Sequence, residues 1–295
     1  MRRPTPLRHW RAGGAVVLIS CALGAQAGTL MKVNEFEVYR DGNLDNWLQG
    51  QNLWLREGFD NGNAVQGPDL TGGGTATYTL VAASNPLTVR EAGGQLLMDA
   101  ALADLSVGAT GSVGHSVRTR FNTNVTDADR GLPISRSFGV IANVSLDALP
   151  DSGSQFGIRL ADSFSNASDM VELSLVQRAS GYGILFRKQD FLNHTITDLA
   201  FTALAAPTGA TGLVLGLAHP VADSNVVGAF YGYADSNGDL IGGLQSFSAT
   251  TTAFNGELHT QAELRATAAV PEPATWALML GGAGALAGMR WRRRA

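Results

Sequence analysis

The chain has 295 residues, 45% hydrophobic and 16% charged, with 36 Gly and a single Cys. That length suits one large domain or two small ones, the apolar share excludes wholesale disorder, and one cysteine excludes both an intramolecular disulfide framework and a cysteine-rich zinc site. The net charge of −4 conceals basic ends, four Arg in 1–27 and four in 271–295, around a body (28–270) with 13 basic and 24 acidic residues. This distribution argues against a nucleic-acid binder, which needs a basic patch on its folded part, and points to two ends that meet membranes.

The first 27 residues have the layout of an export signal. Arg2, Arg3, Arg8 and Arg11 form a basic start, Ala12 to Ser20 a short apolar run, and Ala25-Gln26-Ala27 a small-x-small cleavage site before Gly28. The apolar run is too short to span a bilayer. Leu18-Ile19-Ser20-Cys21 keeps a second reading open, a lipobox with Cys21 as the lipidated first residue. Loss of Cys21 with the signal leaves a mature chain without thiols, as suits an oxidising compartment.

The body that follows, 28–261, is predicted to be all-β. Residues alternate at period two over Val117–Phe121, Phe138–Leu146, Phe156–Leu160, Val171–Leu175 and Leu213–Leu217, the pattern of half-buried antiparallel strands. Turn signals separate them: Asp151-Ser152-Gly153, Ser180-Gly181, Asn237-Gly238 and Asn255-Gly256. Asn237-Gly238 between Phe230–Ala234 and Leu240–Phe247 predicts a hairpin. No long helical period occurs inside the body. The fold class that results is a two-sheet sandwich or barrel.

Candidate chemistry is sparse. Glu35 and Glu37 are spaced to share one face of a strand, as paired carboxylates of a glycosidase would be, but the sequence supplies no evident third partner. Asp127 and Asp129 fall in a turn-like run. His9, His115, His194, His219 and His259 include no two at metal-ligand spacing within the body, and no HExxH, GxSxG or phosphate-binding loop occurs. Catalytic residues are therefore expected to be none. Trp47 and Trp54, with Asn and Gln around them, are the candidate sugar-stacking residues, with Tyr182, Tyr231 and Tyr233 further aromatics; Trp among Leu is also a common core pattern. Asp235-Ser236-Asn237-Gly238-Asp239 places oxygen ligands at alternate positions, so Asp235, Asn237 and Asp239 are a candidate Ca²⁺ site, although the same residues suit a plain turn. Asn124, Asn143, Asn166 and Asn193 begin Asn-x-Ser/Thr triplets that arise readily by chance.

Residues 262–270, rich in Ala and Thr, read as a linker. After it come Val270-Pro271-Glu272-Pro273, an uncharged run from Ala274 to Met289, and Arg290-Trp291-Arg292-Arg293-Arg294-Ala295. As a helix the run covers about 24 Å, short of a ~30 Å hydrocarbon core, yet able to span it with Trp276 and Trp291 at the interfaces and the arginines held on the cytoplasmic side.

This end resembles the PEP-CTERM sorting tail of Gram-negative, biofilm-forming bacteria. The resemblance implies recognition of Pro271, Glu272 and Pro273 by an exosortase, a membrane transpeptidase, with cutting near the triplet; an unprocessed single-span anchor is the competing reading. The body is similar to concanavalin A-like, laminin-G-type jelly rolls through Glu57-Gly58-Phe59-Asp60-Asn61-Gly62, Glu91 to Asp99 and the hairpin Val226 to Phe247, with an immunoglobulin-like pair as the other architecture. Together these imply an exported protein held briefly in the cytoplasmic membrane and delivered to the surface or extracellular matrix. Its sandwich is then a non-catalytic module for matrix or exopolysaccharide. The alternative is a glycan-active hydrolase or lyase on the same fold.

Overall fold

Alternation in the sequence becomes sixteen strands and one short helix in the computed structural model, which describes residues 28–60, 77–82, 87–100, 113–120, 131–150, 154–162 and 168–268. In chain order these are β1 (Gly28–Arg40), α1 (Leu44–Leu48), β2 (Leu53–Glu57), β3 (Thr77–Ala82), β4 (Leu87–Glu91), β5 (Leu96–Ala100), β6 (Val113–Arg120), β7 (Leu132–Pro133) and β8 (Phe138–Ser145). Then follow β9 (Gln155–Ala161), β10 (Met170–Arg178), β11 (Gly181–Asp190), β12 (Thr195–Ala203), β13 (Gly212–His219), β14 (Val226–Ala234), β15 (Leu240–Thr250) and β16 (His259–Ala268). The expected export signal, with Cys21, Ala25 and Ala27, and the expected tail, with Pro271, Glu272 and Pro273, lie outside the described residues, as do Asp127 and Asp129. No helix among the described residues is long and apolar enough to cross a membrane.

The strands form two antiparallel sheets. The first runs β15-β14-β13-β8-β1-β5-β4, with β2 also on β1; the second runs β12-β11-β10-β9-β16-β6-β3, with β7 on β16. Their inner faces supply one core: Phe36, Val38, Val140, Ala142, Leu215 and Leu217 from the first, Ile158, Leu160, Leu173, Phe186 and Leu264 from the second. Most alternate with a polar or small neighbour, which makes period two readable, while Ile141, between Val140 and Ala142, joins a second apolar cluster with Tyr39, Trp47 and Phe230. The Asn237-Gly238 turn joins β14 to β15 as expected, with Gly238 at φ +87°, a conformation that a side chain disfavours.

One boundary changes. Residues 262–268, expected as part of a linker, lie in β16, between β9 and β6 at the centre of the second sheet. Ala262, Leu264 and Ala266 are fully buried, alternating with Gln261, Glu263 and Arg265. Small alanines disguise a strand whose faces are nevertheless cleanly divided.

The first strand and the last are thus each internal to a sheet, and both open at the same end of the sandwich. Val33 of β1 pairs with Val144 near the end of β8. The chain crosses from the end of β8 to the start of β9, where Gln155 pairs with Thr267 of β16. Leu204–Thr211 and the 235–239 turn cap this same end, because Gly212 pairs with both Ser145 and Ala234.

On the outer side of the second sheet a row of alternating charge crosses six strands in register: Asp198 opposite Arg187, Arg187 opposite Glu172, Glu172 opposite Arg159, Arg159 opposite Glu263, and Glu263 opposite Arg118. Opposite charges directly across an antiparallel pair stabilise each other and penalise a slipped register. Arg159, Glu172 and Glu263 in the middle are at most 1% exposed. Arg159 Nε donates to Glu263 Oε2, and its Nη1 lies 3.4 Å from Met170 Sδ. Gln155 Nε2 donates to Glu172 at 3.1 Å, and Arg187 Nε to Asp198 at 2.8 Å.

Candidate functional site

The outward face of β1 gathers carboxylates, a phenol and amides from adjacent strands. Phe36 and Val38 point to the core, so Glu35, Glu37 and Tyr39 point away from it. An irregularity between Val33 and Glu35 gives Asn34 no partner in β8 and places Glu35 opposite Asn143. Antiparallel pairing with β2 sets Arg56 opposite Glu37.

The carboxylates that lacked a third partner in the sequence therefore have one. Arg56 Nε lies 2.8 Å from Glu35 Oε1, Arg56 Nη2 lies 2.5 Å from Glu37 Oε1, and the Tyr39 hydroxyl donates to Glu37 Oε2 at 2.7 Å. An amide chain continues the strip: Gln95 Nε2 donates to Asn34 Oδ1 at 2.6 Å, and Asn34 Nδ2 to Asn143 Oδ1 at 3.4 Å. Arg56 and Tyr39 were missed because they matter only through strand pairing; the one sequence signal was the alternation of Arg56 with Leu55.

Burial, then the neighbouring Glu37, hold the Glu35 carboxyl above the usual carboxylate range, with Arg56 acting against them. Burial and the bond to Glu37 push the Tyr39 hydroxyl up in the same way, and the bond to Glu37 raises Arg56. Glu35 thus binds its proton more readily than an ordinary Glu. Replacing Glu37 by Gln removes the like charge and lowers the Glu35 pKa; replacing Arg56 by Met raises it. Carboxyl NMR titration of the two variants checks both signs, and movement of Glu35 in the same direction in both would contradict the assignment of causes.

The candidate sugar-stacking tryptophans are placed differently from each other. Trp47 is 1% exposed. Asn43 caps α1, its side chain accepting the Asn46 N–H at 3.1 Å. The helix lays Trp47 over Gly139, where any Cβ would enter the indole ring. The ring also stacks on Tyr39 at 6.4 Å, and Nε1 donates to the Asp41 carbonyl at 2.7 Å. Trp47 is accordingly a packing residue, a correction with a plain cause: no face is left for a sugar. Trp54 is half-buried, with the Arg40 guanidinium 4.0 Å from its ring centroid. Tyr231 and Tyr233 meet edge to face at 6.3 Å, the Tyr233 hydroxyl accepts the Ala205 N–H at 2.9 Å, and Tyr182 packs partly buried against the core.

At the candidate Ca²⁺ loop, Asp235 Oδ1 accepts the backbone N–H of Asn237 at 2.8 Å and of Asp239 at 3.1 Å, so this carboxylate closes its own turn. Among the described residues no three His, Cys, Asp or Glu side chains gather as a metal site. His219 is fully buried between Phe138 and Phe254, each ring 5.0 Å away, and donates through Nε2 to the Ile134 carbonyl at 2.9 Å. His194 sits in the β11–β12 turn and His259 opens β16.

These observations define an all-β protein of two antiparallel sheets with a polar strip on the outer face of one. Its C-terminal residues 269–294 match the PEP-CTERM protein-sorting motif. The chain carries that motif and is an exosortase substrate, exported and anchored transiently to the membrane before release. No curated protein and no solved structure matches the chain.

Proposed function

We infer that this exported protein is a non-catalytic matrix component whose sandwich, of concanavalin A-like type, binds carbohydrate at the outer face of the first sheet. The sorting motif supplies the setting. The observation that carries the reading is the strip Gln95, Asn34, Asn143, Glu35, Arg56 and Glu37, a contiguous set of amides, carboxylates and a guanidinium aligned along adjacent strands. Sugars are held by such planar polar groups on a rigid sheet, which loses little entropy on binding. Maturation would remove the export signal before Gly28, which is also the first residue of β1, and would cut the tail near Pro271-Glu272-Pro273.

Two measurements test this. Mass spectrometry of secreted material should find Gly28 at the start and no residue beyond the triplet; Arg294 still attached would overturn the processing. A glycan array with the secreted protein should give binding that falls at least tenfold in Arg56→Ala, and no signal on any sugar would leave the module purely structural. The raised Glu35 carboxyl, next to Glu37 on the same strand face, also favours a second reading, a glycan hydrolase with Glu35 as proton donor. Release of reducing ends, lost in Glu35→Gln, would establish it.

A further inference from the structure

We propose that the end of the sandwich formed by Ala179–Ser180, Ala205–Thr211 and Ser236–Asn237 is a contact surface for the sorting enzyme, pressed against it while the tail is cut. This rests on the processing reading above. The last residue of β16, Ala268, is still paired with Val113 of β6, and Thr267 with Gln155 of β9. Pro271 follows three positions later and Ala274 six. Fully extended, those stretches reach about 10 Å and about 20 Å. A catalytic cleft closed over the triplet therefore has a folded sheet within about 10 Å of it. No spacer holds the body away.

Two ways out of this crowding exist. The end of β16 could unzip, but from Thr267 inward it is held on both edges, so each further residue released breaks pairing with β6 and β9 together. The alternative is that the enzyme accepts the end of the sandwich at its rim. The chemistry of that end suits close approach. Ala179, Ser180, Ala205, Ala206, Thr208 and Thr211 are all small and exposed. Of the large exposed apolar side chains, Phe191, Leu192, Val221 and Leu258 lie in turns at the opposite end, and Leu240, just after the 235–239 turn, is on this one. The β1 start leaves from the tail end too, so both membrane-directed segments of the precursor emerge on this face.

The experiment uses the full chain, co-expressed with its exosortase, and follows tail removal by pulse-chase. Export is read from signal-peptide removal and folding from protease resistance. Ala206→Arg with Ser236→Arg puts bulk on the proposed surface; Val221→Arg with Asn193→Arg puts it at the far end. The expected result is a fivefold or greater slowing for the first pair and no change for the second. Twelve Gly/Ser residues inserted after Ala268, about 40 Å when extended, restore the first pair to the unsubstituted rate. Unchanged processing in the first pair overturns the contact, as does equal slowing with and without the insert, which reports a folding or export defect. If the unsubstituted chain keeps its tail, the processing reading itself has failed.

Discussion

A chain ended after Gln261 fails to fold, whereas one ended after Val270 folds. The missing residues are most of β16. Their loss takes Ala262, Leu264 and Ala266 from the core, removes both ladders to β9 and β6, and cuts the second sheet in two. Emptying one buried Leu position alone costs about 2–5 kcal/mol. Arg159 additionally loses Glu263, and a buried charge stripped of its partner costs about 3–5 kcal/mol. Together these approach or exceed the whole stability of an ordinary domain, about 5–15 kcal/mol. Near-ultraviolet circular dichroism and limited proteolysis of the two secreted chains are the check. A cooperative unfolding transition of equal midpoint in both would return residues 262–268 to the status of a linker.

The second large effect concerns the charge row. Arg159→Ala is expected to lose about 3–5 kcal/mol in urea unfolding, because Glu172 and Glu263 on either side remain buried with one fewer cation between them. Glu263→Gln should cost less, since the amide still accepts from Arg159. Replacing both partners together, Arg159→Met with Glu263→Leu, should recover part of the loss, because the Glu263 charge goes with its partner and only Glu172 stays buried beside the gap. A single-variant loss below about 1 kcal/mol would show that the row is solvated rather than structural. At the rim, Asp198 and Arg187 are half-exposed, and substitutions there should be far milder.

The division between what was readable and what was not follows strand physics. Period-two alternation exposes which residues of a strand face inward, so Phe138–Leu146, Phe156–Leu160, Val171–Leu175 and Leu213–Leu217 were recognisable without any partner. Asn237-Gly238 announced its hairpin for the same local reason. β16 hides behind a linker-like composition although its Gln261-Ala262-Glu263-Leu264-Arg265-Ala266 alternates just as strictly. Alanine carries so little hydrophobic signal that composition spoke louder than pattern. Trp47 read as a possible platform because exposure depends on what α1 rests against, here Gly139 and Tyr39.

Local order along the chain alone thus established the sorting motif, the all-β class and the division of faces within the openly alternating strands, because each is a matter of neighbours a few residues apart. Only the tertiary structure decided which strands lie side by side. That choice joins Glu35 and Glu37 to Arg56, turns six scattered charges into one row, and leaves the sorting tail with no slack beyond the final strand. Pairing partners are chosen by the whole core at once, through contacts more than a hundred residues apart, such as Arg159 with Glu263; no window of sequence contains that information.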